Sequence, residues 1–442
     1  MLRTAAHVVY NLAEGPSGFS DGNLTLDRAR LTSLVERDPR VRAARIHLVR
    51  PGDRTRVANV LDVFDARKKA EGPTYPGFDG PPVTAGSGEL HVLRGFQLVG
   101  SAHLPTGGGG VRVARRAFVD FWDVGATASP FGTALTAVVE IAPASDLDQQ
   151  TADNAVRDAL IAVSTEIGAL AMDSPPDSVE ESLSFPERPV SGGVPRVAYV
   201  YQVQSHGALL DTYLYGVAIP DVVPTVIDTN EILDGALVSG TRGRITTPTI
   251  LHCNNPVVRS LAARHGDSIN LLPVILMEGH HKTTPQKERS AHHAVQLLRL
   301  LGADGAIFTQ EGGGMSIVDQ MLTIEEARAS GIESVGITYE MAGVDGVDRP
   351  LIYFSRAARN LVSTGNRDEL VQLAAPERVI GQDPIEIDVR SNGSGDGAAS
   401  APGASTEKSE SLDLTREVEV PVWCLYGSVS QVGAGRMRGH SA

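Results

Sequence analysis

The chain has 442 residues, 42% of them hydrophobic and 21% charged, with a formal net charge of −14. That length suits two or three domains, and the composition suits a soluble globular protein. The acidic balance argues against a nucleic-acid partner, which would need a basic face, and against an anionic membrane surface. No apolar run approaches the roughly 18 residues of a membrane-crossing helix. Two cysteines in so long a chain make no disulfide framework, so a reducing cytoplasm is the expected compartment. The first ten residues lack the length and cleavage site of a signal peptide.

In chain order, the first third reads as mostly β. Residues 41–50 alternate imperfectly between apolar and basic and run into a Pro51-Gly52 turn, as a strand does. Residues 56–64 suggest another strand, 89–101 a strand pair, and 135–141 a short buried strand. A four-glycine stretch, Gly107 to Gly110, marks a loop tip; no GK[ST] follows, so it is not a phosphate loop. Residues 148–167 place Ala155, Leu160, Val163 and Ile167 close to helical spacing. The Pro-rich stretch 174–195 reads as a linker and 196–204 as a strand.

Beyond residue 268 the pattern alternates: strand 269–277, helix 287–301, strand 305–309, a helix opening at Thr323 with Glu326 as its capping box, and strand 332–338. Such alternation predicts an α/β fold: a β-rich N-terminal domain followed by a doubly wound, Rossmann-like parallel sheet. The implied divisions are 1–145, 146–241, 242–390, a disordered Ser/Gly/Ala-rich insertion at 391–411, and C-terminal strands at 412–442. Ligands of such sheets bind at the carboxyl ends of the strands. That places Glu311, Gly312, Gly313 and Glu340 at the expected mouth.

His252, Asn254 and Asn255 form a tight polar cluster that could bind substrate or an oxyanion. Asn255 reads equally as the cap of a helix opening at Pro256. Cys253 is either a reactive thiol or a buried apolar residue. Glu311 and Glu340 are candidate general acid/base groups. The glycines after Glu311 either cradle an anion or make a tight turn. His280-His281 and His292-His293 fit no standard zinc spacing, so no metal ligand is assigned.

Several blocks, in order along the chain, resemble a known family. Leu48-Val49-Arg50-Pro51-Gly52 is similar to its ARPGE block and Tyr75-Pro76-Gly77-Phe78 to its FPGF. YVYQVQSHGALLDTYLYG at 199–216 and EILDGALVSG at 231–240 resemble its central segments. His252 with Asn254-Asn255-Pro256, then Arg264-His265-Gly266, resembles HxNNP…RHG. Lys287-Glu288-Arg289-Ser290, Gly302-Ala303-Asp304-Gly305, Glu311-Gly312, EMAGVDG at 340–346 and Tyr426-Gly427-Ser428 follow. The family is the precursor of the α and β subunits of glycine/sarcosine/betaine reductase component B, together with D-proline reductase.

The resemblance implies a subunit that binds a small amino-acid-like molecule for reductive cleavage of a carbon–heteroatom bond. A thiol- or selenol-bearing partner in a hetero-oligomer would supply the attacking group. His252, Glu311 and Glu340 would act in catalysis; Asn254, Asn255, Gly312, Gly313 and Asp345 would bind substrate, with Cys253 as a candidate thiol. In the family, the precursor is cut after an SGN segment and the Cys that follows becomes a pyruvoyl group. Here the segment reads Ser239-Gly240-Thr241-Arg242, with no Cys, Ser or Thr at the matching position after Thr241. No pyruvoyl or other cofactor is therefore expected. Two further readings stand beside this one: an assembly or regulatory subunit that lost the cofactor, and an enzyme using a bound cation as Lewis acid.

Overall fold

The computed structural model describes residues 1–103, 117–185, 193–204, 211–219, 223–240, 246–381, 385–388, 409–435 and 437–441. The four-glycine tip and Thr241-Arg242 lie outside the described residues.

The α/β expectation holds. The largest sheet has seven strands, in the order Thr225–Ile227, Asn270–Gly279, Arg196–Gln204, Gly305–Thr309, Glu333–Glu340, Asn360–Asn366, Arg438–Ser441. The middle five are parallel and the two outer strands run antiparallel to them. Numbered along the chain, the parallel strands lie in the order 2-1-3-4-5. The switch point falls between Arg196–Gln204 and Gly305–Thr309, where a doubly wound sheet opens its ligand crevice. The sheet takes its first parallel strand from the 146–241 stretch and its last, antiparallel strand from the C-terminal one.

Residue alternation on Arg196–Gln204 sends its side chains into two cores. Ala198 and Val200 pack with the helices Thr284–Leu300 and Met315–Ala329. Tyr199, Tyr201 and Val203 face the other way, onto the helix Pro256–Ala262 and onto Val60, Val63, Val99 and Val138 of the N-terminal part. Those valines belong to a four-stranded sheet, Val41–Val49, Leu135–Pro143, Phe96–Ala102, Val60–Phe64. The helix Gln149–Ala169 covers its far face. The N-terminal part is thus the second layer against the parallel sheet, and it brings charged residues of Val60–Phe64 and of the segment after it close to the ligand crevice.

Several sequence expectations are corrected. Residues 56–64 form two strands in different sheets, Thr55–Val57 and Val60–Phe64, because Asn59 takes a left-handed φ of 52° between them. Residues 89–101 do form two strands, but Gly95 (φ 78°) between them sends the two into separate sheets. The stretch 174–195 contains a strand, Ser178–Ser182, paired with Leu2–Val8. The helix expected to open at Thr323 opens at Met315; Gly314 is its N-cap, and the Thr323 hydroxyl donates to the Asp319 carbonyl at 2.7 Å inside it. Residues 409–411, assigned to the insertion, belong to a strand, Ser409–Leu412, paired with Ile385–Asp388; residues 391–408 lie outside the described residues. Among the described residues no helix is long and apolar enough to cross a membrane.

Candidate functional site

Glu311 follows the strand Gly305–Thr309 at the switch point and is fully buried. Its carboxyl is held by three donors. Oε1 accepts the Thr247 N–H at 2.6 Å; Oε2 accepts the Gln204 N–H at 2.5 Å and the Thr212 hydroxyl at 3.1 Å. Burial nevertheless dominates and pushes the Glu311 pKa up, since desolvation disfavours the charged form. His252 Nε2 lies 3.6 Å from Oε1, also fully buried. Tyr201 OH sits 2.8 Å from His252 Nδ1. With Tyr201 donating, the imidazole proton resides on Nε2, facing the carboxyl. Desolvation lowers the His252 pKa to about 3, so the ring is neutral at ordinary pH.

The glycines after Glu311 are dictated by crowding. A Cβ at Gly312 (φ 76°) would meet Gln204 Oε1 at 2.0 Å, and one at Gly313 would meet Tyr339 OH at 2.0 Å. Above them opens a cavity of about 40 Å³ lined by Thr246, Thr247, Pro248, Tyr339, Arg367, Trp423 and residues of the C-terminal segment. Gln431 closes it toward the glycine turn by donating to the Gly312 carbonyl at 2.8 Å.

The predicted residues separate into groups. His252 and Glu311 face each other at 3.6 Å, with Gly312 and Gly313 next along the chain; none of the four lines the cavity, which they meet through Thr247 and Gln431. Asn255 caps the helix Pro256–Ala262, accepting from Val257 N at 3.0 Å and Val258 N at 3.1 Å. Asn254 faces the N-terminal part: it donates to Asp65 Oδ2 at 2.9 Å and accepts from Arg94. Cys253 lies in the apolar core, its thiol pushed up to about 12 mainly by burial. Glu340 ends its strand with Oε1 accepting the Ser363 hydroxyl at 2.5 Å, and its carbonyl accepts Arg367 N–H at 3.0 Å. Asp345 is exposed in a turn, accepting Val347 N–H at 3.3 Å. Sequence reasoning missed Tyr201, Gln204, Thr212, Thr247, Tyr339 and Arg367. The one available signal was the run YVYQVQ at 199–204, where two tyrosines are followed by two glutamines on a strand that must be buried on both faces.

Ser239 precedes the segment in question. Its N–H donates to Thr249 Oγ1 at 2.9 Å, and its hydroxyl is 3.3 Å from Thr246 Oγ1. Thr249 in turn donates its hydroxyl to Asp62 Oδ2 at 2.7 Å and its N–H to Asp62 Oδ1 at 2.8 Å. Burial raises the Asp62 pKa to about 7. A carboxyl whose folded pKa is raised holds its proton in the folded state. Its stabilisation is complete below the unfolded value near 4 and is lost as pH rises through about 7. The shift corresponds to about 4 kcal/mol between those limits. His252 runs the opposite way: its folded pKa is lowered, so its contribution is complete above about 6.5 and is lost as pH falls toward 3. Asp62→Asn should therefore narrow the loss of stability between pH 5 and pH 8, read as the change in urea midpoint. An unchanged difference between the two pH values would show that Asp62 is ionised in the folded protein.

Among the described residues no group of three or more His, Cys, Asp and Glu is placed to hold a metal ion. His281 bonds Asp319 at 3.1 Å, and His292 bonds Glu326 at 2.6 Å.

Comparison with known proteins agrees with this arrangement of blocks. The family model of glycine/sarcosine/betaine reductase component B subunits matches residues 9–435. The chain is 31% identical over 422 residues to the glycine reductase complex component B subunits alpha and beta of Peptoclostridium acidaminophilum, covering 94% of this chain and 93% of that protein. It is 33% identical over 379 residues to the betaine reductase complex component B subunit alpha of the same organism, covering 83% and 84%. No solved structure matches. With the family model running over nearly the whole length, the chain belongs to the glycine/sarcosine/betaine reductase component B subunits.

Proposed function

We propose that this chain is the substrate-binding subunit of a two-component reductase that cleaves a carbon–heteroatom bond in a small amino-acid-like molecule. The observation that carries the reading is the buried Glu311–His252 pair at the switch point of the sheet, behind a small cavity that Thr247 lines. Thr247 both lines that cavity and donates its N–H to Glu311, so the pair stands directly behind the cavity wall, where it can give a proton to a leaving group. The attacking thiolate or selenolate comes from a partner chain, because both cysteines here are buried. As it attacks carbon, the bond to the heteroatom breaks, the electron pair leaves with the amine, and the amine takes the proton.

The reading includes no pyruvoyl group. The family makes it from a cysteine after the SGN segment, and this chain has none there; Cys253 and Cys424 lie in apolar cores instead. The test has two parts. The purified chain should run intact near 46.7 kDa on a denaturing gel, and it should release amine from glycine, sarcosine or betaine only when the other reductase components and a dithiol are present. Two fragments cut near residues 239–244 would refute the pyruvoyl-free reading. A folded, partner-bound chain that releases no amine would point to an assembly role.

A further inference from the structure

The cavity wall carries a charged group that none of the assigned roles uses. Arg367 follows the strand Asn360–Asn366, and its side chain is only 12% exposed. Its backbone is fixed on both sides: the N–H donates to Glu340 O at 3.0 Å, and the carbonyl accepts Trp423 N–H at 3.2 Å. The guanidinium lies over the Tyr339 ring, 5.5 Å from its centroid, and Nη1 donates to Tyr339 OH at 3.4 Å. Nε is 3.4 Å from Asp368 Oδ1, while Oδ2 of that carboxylate accepts the Gly343 N–H at 3.3 Å. Both Arg367 and Tyr339 line the cavity that is also lined by Thr247, the residue that touches Glu311.

The cavity lining is therefore uneven: a permanent cation and a phenol stand in its wall, together with Thr247, whose N–H reaches the buried Glu311 behind that wall. Its volume of about 40 Å³ decides the size of the occupant. At roughly 10–15 Å³ per water-sized place, it holds about three such places, enough for a short acid and too little for a nucleotide or flavin. A planar guanidinium already stacked on a ring is preorganised for two parallel hydrogen bonds to a carboxylate.

We infer that Arg367, with Tyr339 beside it, is the specificity-determining residue that anchors the substrate's carboxylate and so points its amine end toward Thr247 and Glu311. The inference rests on the proposed function, since it concerns the same cavity. It assigns that cavity an orientation and a reason to reject amines lacking an acid group.

The test is calorimetric titration of the full chain with glycine, acetate and methylamine, using the wild type, Arg367→Met, Arg367→Lys and Glu311→Gln. Arg367→Met should weaken glycine and acetate by roughly 10- to 100-fold, as for a lost charge-assisted hydrogen bond, and leave methylamine unchanged. Arg367→Lys keeps the charge without the fork and should fall between wild type and Met. It also serves if the Met variant does not fold. Glu311→Gln should spare acetate. Glycine affinity within twofold of wild type in both Arg367 variants would overturn the assignment while leaving the proposed function standing. A wild-type chain that binds none of the three would remove both.

Discussion

Glu311→Gln should lower amine release by the reconstituted enzyme at least 100-fold. General acid catalysis typically contributes about 10²–10⁴ in rate, and an amide has no proton to give behind the cavity wall. The substitution also has a structural cost. Oε1 and Oε2 each face a backbone N–H, from Thr247 and Gln204, so the new amide nitrogen must oppose one of them. Leaving a buried donor without an acceptor costs about 1–3 kcal/mol. The two effects separate in measurement: turnover is read at saturating partner and substrate, stability from the urea midpoint. A 100-fold loss of turnover in a protein that remains folded identifies the proton donor. Turnover within threefold of wild type would reduce Glu311 to an acceptor that ties Gln204, Thr212 and Thr247 together.

Arg56→Met should be the most destabilising single change, by about 3–5 kcal/mol, because it strands a buried carboxylate. Arg56 and Asp120 are both essentially inaccessible and pair through two bonds of 2.7 Å. The remaining donors of Arg56 reach the carbonyls of Leu414 at 3.1 Å, Arg416 at 3.3 Å and Ala374 at 3.1 Å. Its guanidinium also lies 5.3 Å from the Phe118 ring centroid and 5.6 Å from that of Trp122. One side chain thus staples the strand Thr55–Val57 to Asp120 and to the carbonyls of Ala374, Leu414 and Arg416. The double variant Arg56→Met, Asp120→Leu should recover much of the loss, since an apolar pair of similar volume avoids the desolvation cost. Urea denaturation of both variants checks it; equal loss in single and double variants would locate the stability in the carbonyl contacts instead.

The sequence exposed the parallel sheet well because its signals are local. Residues 269–277 and 305–309 are apolar runs of strand length, and the helix between them opens at Thr283 with Gln286 in a capping box. The N-terminal strands were harder, because two left-handed residues, Asn59 and Gly95, turn continuous apolar stretches into strands of different sheets. Nothing in the local pattern marks Asn59 for that role. The Thr323/Glu326 spacing matched a helix start and was misleading: a threonine hydroxyl can equally bond the carbonyl four residues back inside a helix, as Thr323 does.

The site shows the same division. Glu311, with its glycines, and His252 stand in compact motifs. Arg367, Tyr339 and Thr247 do not, because their proximity arises only when the sheet order and the C-terminal segment bring three distant stretches to one crevice. Asn254 and Asn255 are adjacent in sequence yet serve different partners. A helix begins between Asn255 and Pro256, so the two side chains leave the backbone in different directions.

The closeness of Ser239 and Thr246, whose hydroxyls are 3.3 Å apart, means that the backbone departs and returns at one anchored point. A break among the six intervening residues would leave both anchored ends in place. The strand Arg196–Gln204 would then belong to one fragment while both its neighbours, Asn270–Gly279 and Gly305–Thr309, belonged to the other. Neither fragment could complete the sheet alone, so each would be the other's folding template, and a gene divided at this point would have to deliver both products together.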